Sequence, residues 1–448
     1  MNNLRKKRRT ALVFLAALGV IVHLLPFILY GPHPLGYDTG FYRRYLIQPF
    51  HSFPNTAVPG LGENALFPRI FLDVLRLSHL PPDLILYGSY ILLLALSTIA
   101  LFYFVENYWG LQTGILAALI FVLSPIQYAA FWFILWKNAF ATLFLLLAFL
   151  AIEKRSRWAL PLGIIIVASH QTTAVIFLLT LLGFIFLNRE KRKELAPTFF
   201  LALAVFLFLH LSFYKNFRYP PVASFITSRE FLSLSWPLIV LAFFGIRKIF
   251  FYQPRSILVA FGLIVAAFPV LSLPFYERIF IFTDIFAIVA AAVGLNVIKS
   301  WFFEISKFHI KAGLALVAAI TAGSFLGNTY SQIRALQPLV SAQELSALSG
   351  ISETVSSGAT ILTSSQFAPW VEGWSQNKVI APGLLGDRHN FETWLSFWNA
   401  TSSASKIQFL NEFPKPLYFF LSPGDKPVFL PQESCVIQRS EFIFENRC

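Results

Sequence analysis

The chain has 448 residues, of which 56% are hydrophobic, only 13% are charged and 50 are phenylalanine. These proportions exceed what the core of a soluble domain needs, so they exclude an ordinary soluble enzyme and indicate a polytopic membrane protein. The formal net charge of +13 does not indicate nucleic-acid binding, because the basic residues are spread among short loops between apolar stretches.

Apolar segments long enough to cross about 30 Å of hydrocarbon recur along the chain and predict its membrane helices. They lie at residues 11–30, 84–104, 111–131, 133–152, 196–214, 235–251, 257–273, 279–298 and 312–328. The first segment follows a basic start, as a signal peptide would. It is long for a signal peptide and lacks a small-residue cleavage pattern, so we expect it to remain as an anchor.

The apolar segment at 158–187 decides the predicted topology, because it is too long for one ordinary span and is interrupted by Ser169-His170-Gln171-Thr172-Thr173. It could be one tilted helix or two short helices that meet at the polar break. Basic residues are concentrated at 5–9, 154–157, 189–193, 247–255 and 299–311. They share one side of the membrane only if this segment returns to the side that it left. The charges favour the hairpin, about eleven helices in total, and a cytoplasmic N-terminus.

The first external loop, residues 31–83, is predicted on the non-cytoplasmic face. Its prolines surround apolar-periodic stretches at 40–50 and 66–79. This pattern is typical of short amphipathic helices that lie along the membrane interface.

Polar composition returns at 329–448, which is also predicted on the non-cytoplasmic face. Short strands are expected near 359–363 and 416–421, alternating with helices near 341–356 and 391–399. The sequence therefore predicts a mainly α fold with two domains, namely a transmembrane helix bundle at 1–328 that includes the first external loop, and a small α/β extracytoplasmic domain at 329–448.

Both cysteines, Cys435 and Cys448, lie in the tail. They could be two isolated buried thiols or one disulfide in an oxidising compartment. We favour the disulfide, although pairing geometry cannot be read from sequence.

Asp38 is the leading candidate for a catalytic carboxylate, because it follows the first membrane helix at the mouth of the bundle. A general base that takes a proton from a hydroxyl or amide acceptor must be a carboxylate or imidazole near the bilayer surface, and partial desolvation raises its proton affinity. The alternative is that Asp38 caps a helix that begins near Thr39. The possible supporting residues of this loop are Tyr37, Arg43, Arg44 and Glu63.

Three basic residues are candidates for binding a donor phosphate. Arg278, at the outer end of a membrane helix, could hold the phosphate in bidentate fashion, or it could snorkel and pair with Glu277. Lys137 could add positive charge from another helix end, with snorkelling as its alternative. His170, at the apex of the hairpin, could contact phosphate or relay a proton, or it could satisfy free backbone groups.

Asp284 lies about a turn and a half deeper than Arg278 in the same predicted helix. Intramembrane carboxylates are costly, so Asp284 implies either a function or a partner such as Arg278 or a neighbouring helix. Tyr276 and Glu277, beside Arg278, are further possible supporting residues.

The layout and three short motifs resemble the GT-C superfamily of integral-membrane glycosyltransferases, in particular its bacterial and archaeal members. The layout consists of a first helix, a long external loop that opens with an Asp-bearing motif, a helix bundle and a C-terminal extracytoplasmic domain. The motifs are Gly36-Tyr37-Asp38, Leu123-Ser124-Pro125-Ile126-Gln127 leading into Trp136-Lys137-Asn138, and Tyr276-Glu277-Arg278 before an apolar helix.

The resemblance implies that a sugar is moved from a polyprenyl-phosphate carrier to a protein, lipid or glycan acceptor on the non-cytoplasmic face of the plasma membrane. Members place the catalytic carboxylate in the first external loop, which matches Asp38. Many have a paired acidic motif there, whereas Asp38 is followed by Thr39 and the next acidic residue is Glu63. A lone carboxylate is a poor divalent-cation site, so a metal is doubtful and no cofactor is firmly implied.

Two other functions stay open on sequence alone. A transporter or flippase of lipid-linked glycans would use broken helices and midplane polar groups, but it should show internal repeats and more intramembrane charge than Asp284. A non-enzymatic scaffold or sensor would act through residues 329–448 and would not need Asp38.

Overall fold

The structure is a computed structural model that describes residues 2–58, 60–215, 226–305, 308–385, 387–400, 402–431 and 434–448. It divides into two compact units. The membrane unit comprises Met1–Leu29, Asn64–Pro68 and Tyr87–Gln337, and the loop–tail unit comprises Tyr30–Glu63, Arg69–Leu86 and Pro338–Cys448. Most of the first external loop thus groups with the C-terminal residues, whereas the sequence predicted it within the membrane domain.

The chain is mainly α-helical. Its α-helices are α1 (Asn2–Tyr30), α2 (Thr39–Ile47), α3 (Leu66–Arg76), α4 (Pro82–Leu123), α5 (Pro125–Trp132), α6 (Trp136–Glu153), α7 (Ala159–Val167), α8 (Gln171–Leu187), α9 (Arg192–Lys215), α10 (Ser228–Tyr252), α11 (Ile257–Val270), α12 (Tyr276–Glu304), α13 (Phe308–Ala335), α14 (Ala342–Ser349), α15 (Ile351–Thr354), α16 (Ala368–Trp374), α17 (Phe391–Trp398), α18 (Ser403–Leu410) and α19 (Lys426–Phe429). The strands are β1 (Thr360–Thr363), β2 (Lys378–Ile380), β3 (Leu417–Phe420), β4 (Val436–Gln438) and β5 (Ile443–Asn446).

Within the described part of the chain, 7 helices are long and apolar enough to cross a membrane. They are α1, α4, α6, α9 with the turn before it, α10, α12 and α13, while α8 and α11 are shorter apolar helices. The protein is therefore an integral membrane protein, and the predicted fold class of a polytopic helix bundle with a small α/β part is confirmed. The number of about eleven membrane helices stays a prediction.

The long apolar segment at 158–187 forms two helices rather than one. Helix α7 ends at Val167 and α8 begins at Gln171, with extended backbone at His170 (φ −149°, ψ 122°) between them. The His170 side chain accepts a hydrogen bond from the Thr173 N–H and so caps α8. The polar break therefore lies where the sequence indicated it.

The apolar segment at 111–131, expected to be one helix, is divided at Ser124. Helix α4 ends at Leu123, and Ser124 Oγ accepts hydrogen bonds from the N–H groups of Ile126 and Gln127 to cap α5. Pro125 occupies the first turn of α5, where its missing N–H leaves no hydrogen bond unmade. The Ser-Pro pair therefore ends one helix and starts the next.

Helices α10 and α12 approach each other closely through two glycines. A Cβ added at Gly245 would lie 1.9 Å from the Ala290 carbonyl oxygen, and one added at Gly294 would lie 2.0 Å from that of Leu241. Small residues of this kind allow membrane helices to pack backbone to backbone. This contact fixes the two helices against each other within the membrane unit.

In the loop–tail unit, a five-stranded sheet has the order β2-β1-β3-β5-β4. Strand β1 is parallel to β2 and β3, whereas β5 is antiparallel to β3 and β4. Ile361 of β1 packs in one hydrophobic cluster with Trp370, and its neighbour Leu362 packs in another with Trp394. The sheet is thus covered on both faces, as parallel strands usually are.

Cys435 and Cys448 are joined by a disulfide next to the antiparallel pair of β4 and β5. Helices α2 and α3 form where short amphipathic helices were expected, at 40–50 and 66–79.

Candidate functional site

Lys137 lies in the first turn of α6, directly after the buried Trp136. The Trp136 indole N–H donates to Ser89 Oγ at 3.2 Å, and its ring stacks on Phe140. A left-handed residue, Ile134 (φ 53°), turns the chain between α5 and α6. The packing of Trp136 therefore holds the start of α6, and with it Lys137, in place.

His170 lies at the break between α7 and α8. Its Nδ1 accepts from the Thr173 N–H at 3.4 Å and lies 2.8 Å from Thr173 Oγ1. Burial first, and then the charges of Lys137, Arg278 and His210, lower the pKa of the imidazole to about 3. His170 is therefore neutral at neutral pH, and because Nδ1 accepts a hydrogen bond, its proton is on Nε2.

Arg278 lies in the first turn of α12 and is exposed. The chain enters this helix through Phe275, a left-handed residue (φ 62°), and the guanidinium lies 5.7 Å from the centre of the Phe275 ring. Glu277 accepts a hydrogen bond from Ser228 Oγ at 3.4 Å, and the same hydroxyl lies 3.2 Å from the Tyr276 hydroxyl. These contacts join the start of α12 to the start of α10.

The three predicted phosphate-binding residues all lie in the membrane unit. The charges of Lys137 and Arg278 both act on His170. Each of the three residues lies at the N-terminal end of a helix, where unpaired backbone N–H groups and the helix dipole already attract anions. Cations at helix N-termini are unfavourable unless an anion is present. The arrangement can therefore bind a phosphate.

Asp284 is fully buried and is bound by a neighbouring helix, one of the two partners that the sequence left open. Its Oδ2 accepts from Ser124 Oγ at 2.7 Å and from Gln127 Nε2 at 2.9 Å. Among the described residues, Asp284 Oδ1 has no hydrogen-bond partner. Asp284 thus joins α12 to the start of α5, through Ser124 and Gln127 of the second sequence motif.

Asp38 lies at the N-cap position of α2 in the loop–tail unit. Its backbone carbonyl accepts hydrogen bonds from the N–H groups of Phe41 and Tyr42, but its side chain makes no capping hydrogen bond. Burial first, and then the charge of Asp38, raise the pKa of the Tyr37 hydroxyl to about 12. The Asp38 side chain therefore does not act as the N-cap of α2.

The helix that follows Asp38 packs directly on α16. A Cβ at Gly40 would lie 1.6 Å from the Pro369 carbonyl oxygen, and one at Gly373 would lie 2.5 Å from Gly40 Cα. Only glycine fits at such a backbone contact. Gly40 is therefore needed for the packing of α2 on α16. This packing holds the neighbouring residues of α2 in place.

The supporting residues of the first external loop anchor α2 within the same unit. Arg43 donates to the Gly373 carbonyl at 2.6 Å and pairs with Asp83 at 3.2 Å. Arg44 donates to the Ser375 carbonyl at 2.8 Å and lies 3.5 Å from Glu372. Tyr37 donates through its hydroxyl to the Ser365 carbonyl. These residues hold Asp38 in position.

Two polar residues in the membrane unit were not singled out from the sequence. His210, which is 1% exposed, donates from Nε2 to the Val167 carbonyl at 3.1 Å, while its Nδ1 accepts from Asn64 Nδ2 at 3.2 Å. Val167 ends α7, so His210 and Asn64 support the hairpin that carries His170. His210 could have been singled out from the sequence, because a histidine within an apolar helix needs polar partners.

A hard divalent cation needs several oxygen ligands close together. Of the residues that the structure describes, no group of three or more His, Cys, Asp or Glu side chains could hold a metal ion. Glu63 has an exposed side chain, and its backbone carbonyl accepts from Arg69 at 3.0 Å.

No family model matches the chain, and no curated protein matches it by sequence. The oligosaccharyltransferase AglB from Archaeoglobus fulgidus, solved with an inhibitory peptide and a dolichol-phosphate, has a TM-score of 0.62 and 12% identity, covering 93% of this chain and 69% of its own. ArnT from Cupriavidus metallidurans, solved with undecaprenyl phosphate, has a TM-score of 0.58 and 13% identity, covering 97% of both chains. The chain has the GT-C fold.

The expected resemblance to GT-C membrane glycosyltransferases is thereby confirmed at the level of the fold. The apo form of ArnT from the same organism matches with a TM-score of 0.60 at 13% identity and also covers 97% of both chains. The likeness to ArnT thus extends over nearly the whole chain, including the membrane unit and the loop–tail unit.

Proposed function

We propose that the protein is an integral-membrane glycosyltransferase that moves a sugar from a polyprenyl-phosphate donor to a protein, lipid or glycan acceptor. The observation that carries this proposal is the grouping of Lys137, His170 and Arg278 at three helix starts in a GT-C fold. Structures with this fold have been solved with dolichol-phosphate and with undecaprenyl phosphate, which supports a lipid phosphate as the ligand.

On the donor side, Arg278 and Lys137 bind the phosphate oxygens, and the His170 Nε2–H donates a hydrogen bond to the same group. When the bond between the anomeric carbon and the phosphate oxygen breaks, its electron pair stays on the phosphate. Fixed positive charges stabilise this developing negative charge more than they stabilise the intact donor. The three residues thereby lower the barrier to departure of the lipid phosphate.

On the acceptor side, Asp38 is the proposed general base. A hydroxyl or amide group of the acceptor forms the new bond to the anomeric carbon and gives its proton to the Asp38 carboxylate. The carboxylate is placed by the packing of α2 on α16, and its side chain is not used as a helix cap. Helices α2 and α3 are proposed to admit the polyprenyl chain, and residues 329–448 to contribute to acceptor selection.

For the cellular location, we propose the plasma membrane, with the N-terminus in the cytoplasm and the C-terminal residues on the opposite face. The loop charges support this orientation, because a hairpin at 158–187 would put the basic clusters at 5–9, 154–157 and 189–193 on one side of the membrane, as the positive-inside rule favours. Sugar transfer would then occur on the non-cytoplasmic face, where polyprenyl-linked donors are presented.

The test is a transfer assay with the purified protein in liposomes that contain radiolabelled polyprenyl-phosphate sugars. The proposal predicts loss of label from the polyprenyl phosphate and its appearance in an added protein, lipid or glycan acceptor. The same vesicles report lipid movement through accessibility of the labelled headgroup to an external enzyme. Movement of the headgroup without transfer of the sugar would instead make the protein a flippase.

A further inference from the structure

A cationic cavity with a volume of about 570 Å³ lies in the membrane unit. Lys7 of α1, Lys248 of α10 and Lys299 of α12 line it. Lys299 lies 21 residues after Arg278 in α12, which corresponds to about 30 Å along a helix. The cavity is therefore separate from the proposed donor site by the thickness of the bundle.

The lining of this cavity is suited to an anion. Asn296 Nδ2 donates to Thr113 Oγ1 at 2.6 Å, and Lys299 Nζ lies 3.2 Å from Gln112 Oε1. These contacts fix polar groups from α4 and α12 around the opening. None of the described residues that line the cavity is acidic, whereas three of them are lysines.

An acidic residue of the same region, Glu106 on α4, is already bound by a different cation. Arg8 donates to Glu106 Oε2 at 2.6 Å, and the Arg8 guanidinium lies 4.7 Å from the centre of the Tyr103 ring. Arg8 and Glu106 therefore neutralise each other beside Lys7. The net charge of the cavity stays positive.

The surface next to the cavity is apolar, which distinguishes a lipid from a soluble anion. Phe303 lines the cavity and is 72% exposed. Phe251 and Tyr252, within one turn of Lys248, are 74% and 73% exposed. Aromatic side chains at the end of membrane helices lie at the headgroup level of the bilayer. A ligand here meets cations at its head and aromatic rings along its tails.

We propose that this cavity binds the headgroup of an anionic phospholipid from the membrane leaflet on the N-terminal side, with Lys7, Lys248 and Lys299 around its phosphate. Basic pockets between membrane helices bind anionic headgroups in this way, because each lysine near the phosphate adds electrostatic attraction. The site is independent of the proposed sugar transfer.

The test compares phosphatidylglycerol with phosphatidylcholine, titrated against the purified full-length protein and followed by native mass spectrometry. Wild type is expected to bind phosphatidylglycerol more tightly than phosphatidylcholine. The triple variant Lys7→Gln, Lys248→Gln, Lys299→Gln is expected to lose about a hundredfold in affinity for phosphatidylglycerol. Equal binding of the two lipids by wild type would overturn the proposal.

A matched triple variant controls for total charge. Lys6→Gln, Lys154→Gln and Lys193→Gln remove three exposed lysines that do not line the cavity, and this variant is expected to bind as wild type does. If it loses as much affinity as the cavity variant, diffuse charge explains the binding and the site is refuted. The charge-preserving Lys299→Arg variant should retain binding, and its loss alongside native helix content also contradicts the proposal.

A competition experiment with inorganic phosphate tests whether the cavity prefers a lipid headgroup or a free phosphate ion. Inorganic phosphate at millimolar concentration is added to the protein already loaded with phosphatidylglycerol. Retention of the lipid supports the headgroup assignment, because the apolar tails add contacts that phosphate lacks. Displacement by inorganic phosphate would show that the cavity takes a free anion and would overturn that assignment.

Discussion

Arg278 gives the sharpest expectation for a single residue. Arg278→Ala should lower the rate of sugar transfer by about a hundredfold to a thousandfold, the usual effect of removing one fixed donor from developing negative charge. Arg278→Lys should keep part of the rate, because an ammonium keeps the charge but loses bidentate geometry. Initial rates with the purified protein measure both effects.

The matched control for Arg278 is Arg229→Ala. Arg229 is an exposed arginine in the first turn of α10 in the same unit, so its removal changes the net charge equally. It should leave the rate nearly unchanged. An equal loss in the two alanine variants would mean that general surface charge, and not contact with the donor, sets the rate.

The variant Asp38→Asn tests whether Asp38 is the general base. The amide cannot take the acceptor proton, so the transfer rate should fall by about a hundredfold to ten-thousandfold. A thermal unfolding scan of the variant separates loss of the base from loss of the fold. Glu392→Gln, an exposed carboxylate in α17, is the control with expected wild-type activity. Full activity of Asp38→Asn would remove Asp38 from the mechanism.

Individual residues were predictable where their type was unusual for its place. Arg278, Lys137 and His170 stood out because each borders or interrupts an apolar segment on the face where few basic residues are predicted, and the charges of Lys137 and Arg278 both act on His170. Their grouping could not be read from the sequence, since it depends on which helix ends are neighbours. The same holds for Ser124 and Asp284, whose contact joins residues 160 positions apart.

Among the elements, the contact of α2 with α16 is the most sensitive to substitution. Gly40→Val would place its side chain against the Pro369 carbonyl, so the two helices must separate. We expect a loss of stability of several kcal/mol, as for severe overpacking, and a fall in activity with it. Thermal unfolding of the purified protein measures the first effect.

Gly350→Ala is the control for Gly40. A Cβ at Gly350 would lie 3.8 Å from the Ser346 carbonyl oxygen, an ordinary contact in the same unit. This variant should unfold close to the wild-type midpoint. A Gly40→Val protein as stable as Gly350→Ala would show that α2 does not pack on α16 as described.

A pH-dependent contact holds the segment before α17. His389 Nδ1 lies 2.9 Å from Asp387 Oδ1, and its Nε2 lies 3.1 Å from Glu412 Oε2. Burial opposes the charged imidazole, but the hydrogen bonds and charges of Asp387 and Glu412 outweigh it and raise the pKa of His389. A group with a raised pKa stabilises the fold below its unfolded pKa, and this contribution is lost as the pH rises through the folded pKa.

We therefore expect His389→Gln to lower the thermal midpoint below pH 6.5, by an amount that corresponds to about 1 kcal/mol. The difference between wild type and variant should shrink as the pH rises above the folded pKa. Unfolding scans of both proteins across this range measure it. A difference that stays constant or grows with rising pH would contradict the assigned contacts.

The ends of helices were predictable where polar residues interrupt an apolar segment. The polar run at 169–173 indicated the break between α7 and α8 because polar groups inside an apolar stretch need partners. The division at Ser124 was missed, since the flanking residues are as apolar as those of a continuous helix. The Ser-Pro pair was the signal, because Pro favours the first turn of a helix.

For the whole molecule, composition and the spacing of apolar segments were sufficient to predict a helical membrane bundle with a small α/β part. The grouping of the first external loop with the tail was not predictable. It depends on contacts such as that of Arg43 with Gly373, which lie 330 positions apart and leave no periodic signal in either segment. Contacts between distant segments depend on the complementary shapes of their surfaces. Short sequence motifs do not reveal these shapes.

The most direct test of the account is a cryo-EM map of the full chain in a nanodisc with undecaprenyl phosphate. The account predicts density for the phosphate in contact with Arg278 and Lys137, with His170 Nε2 within hydrogen-bonding distance. Density for undecaprenyl phosphate only elsewhere in the membrane unit, with no phosphate at Arg278, Lys137 and His170, would contradict the donor site and the proposed sugar transfer that rests on it.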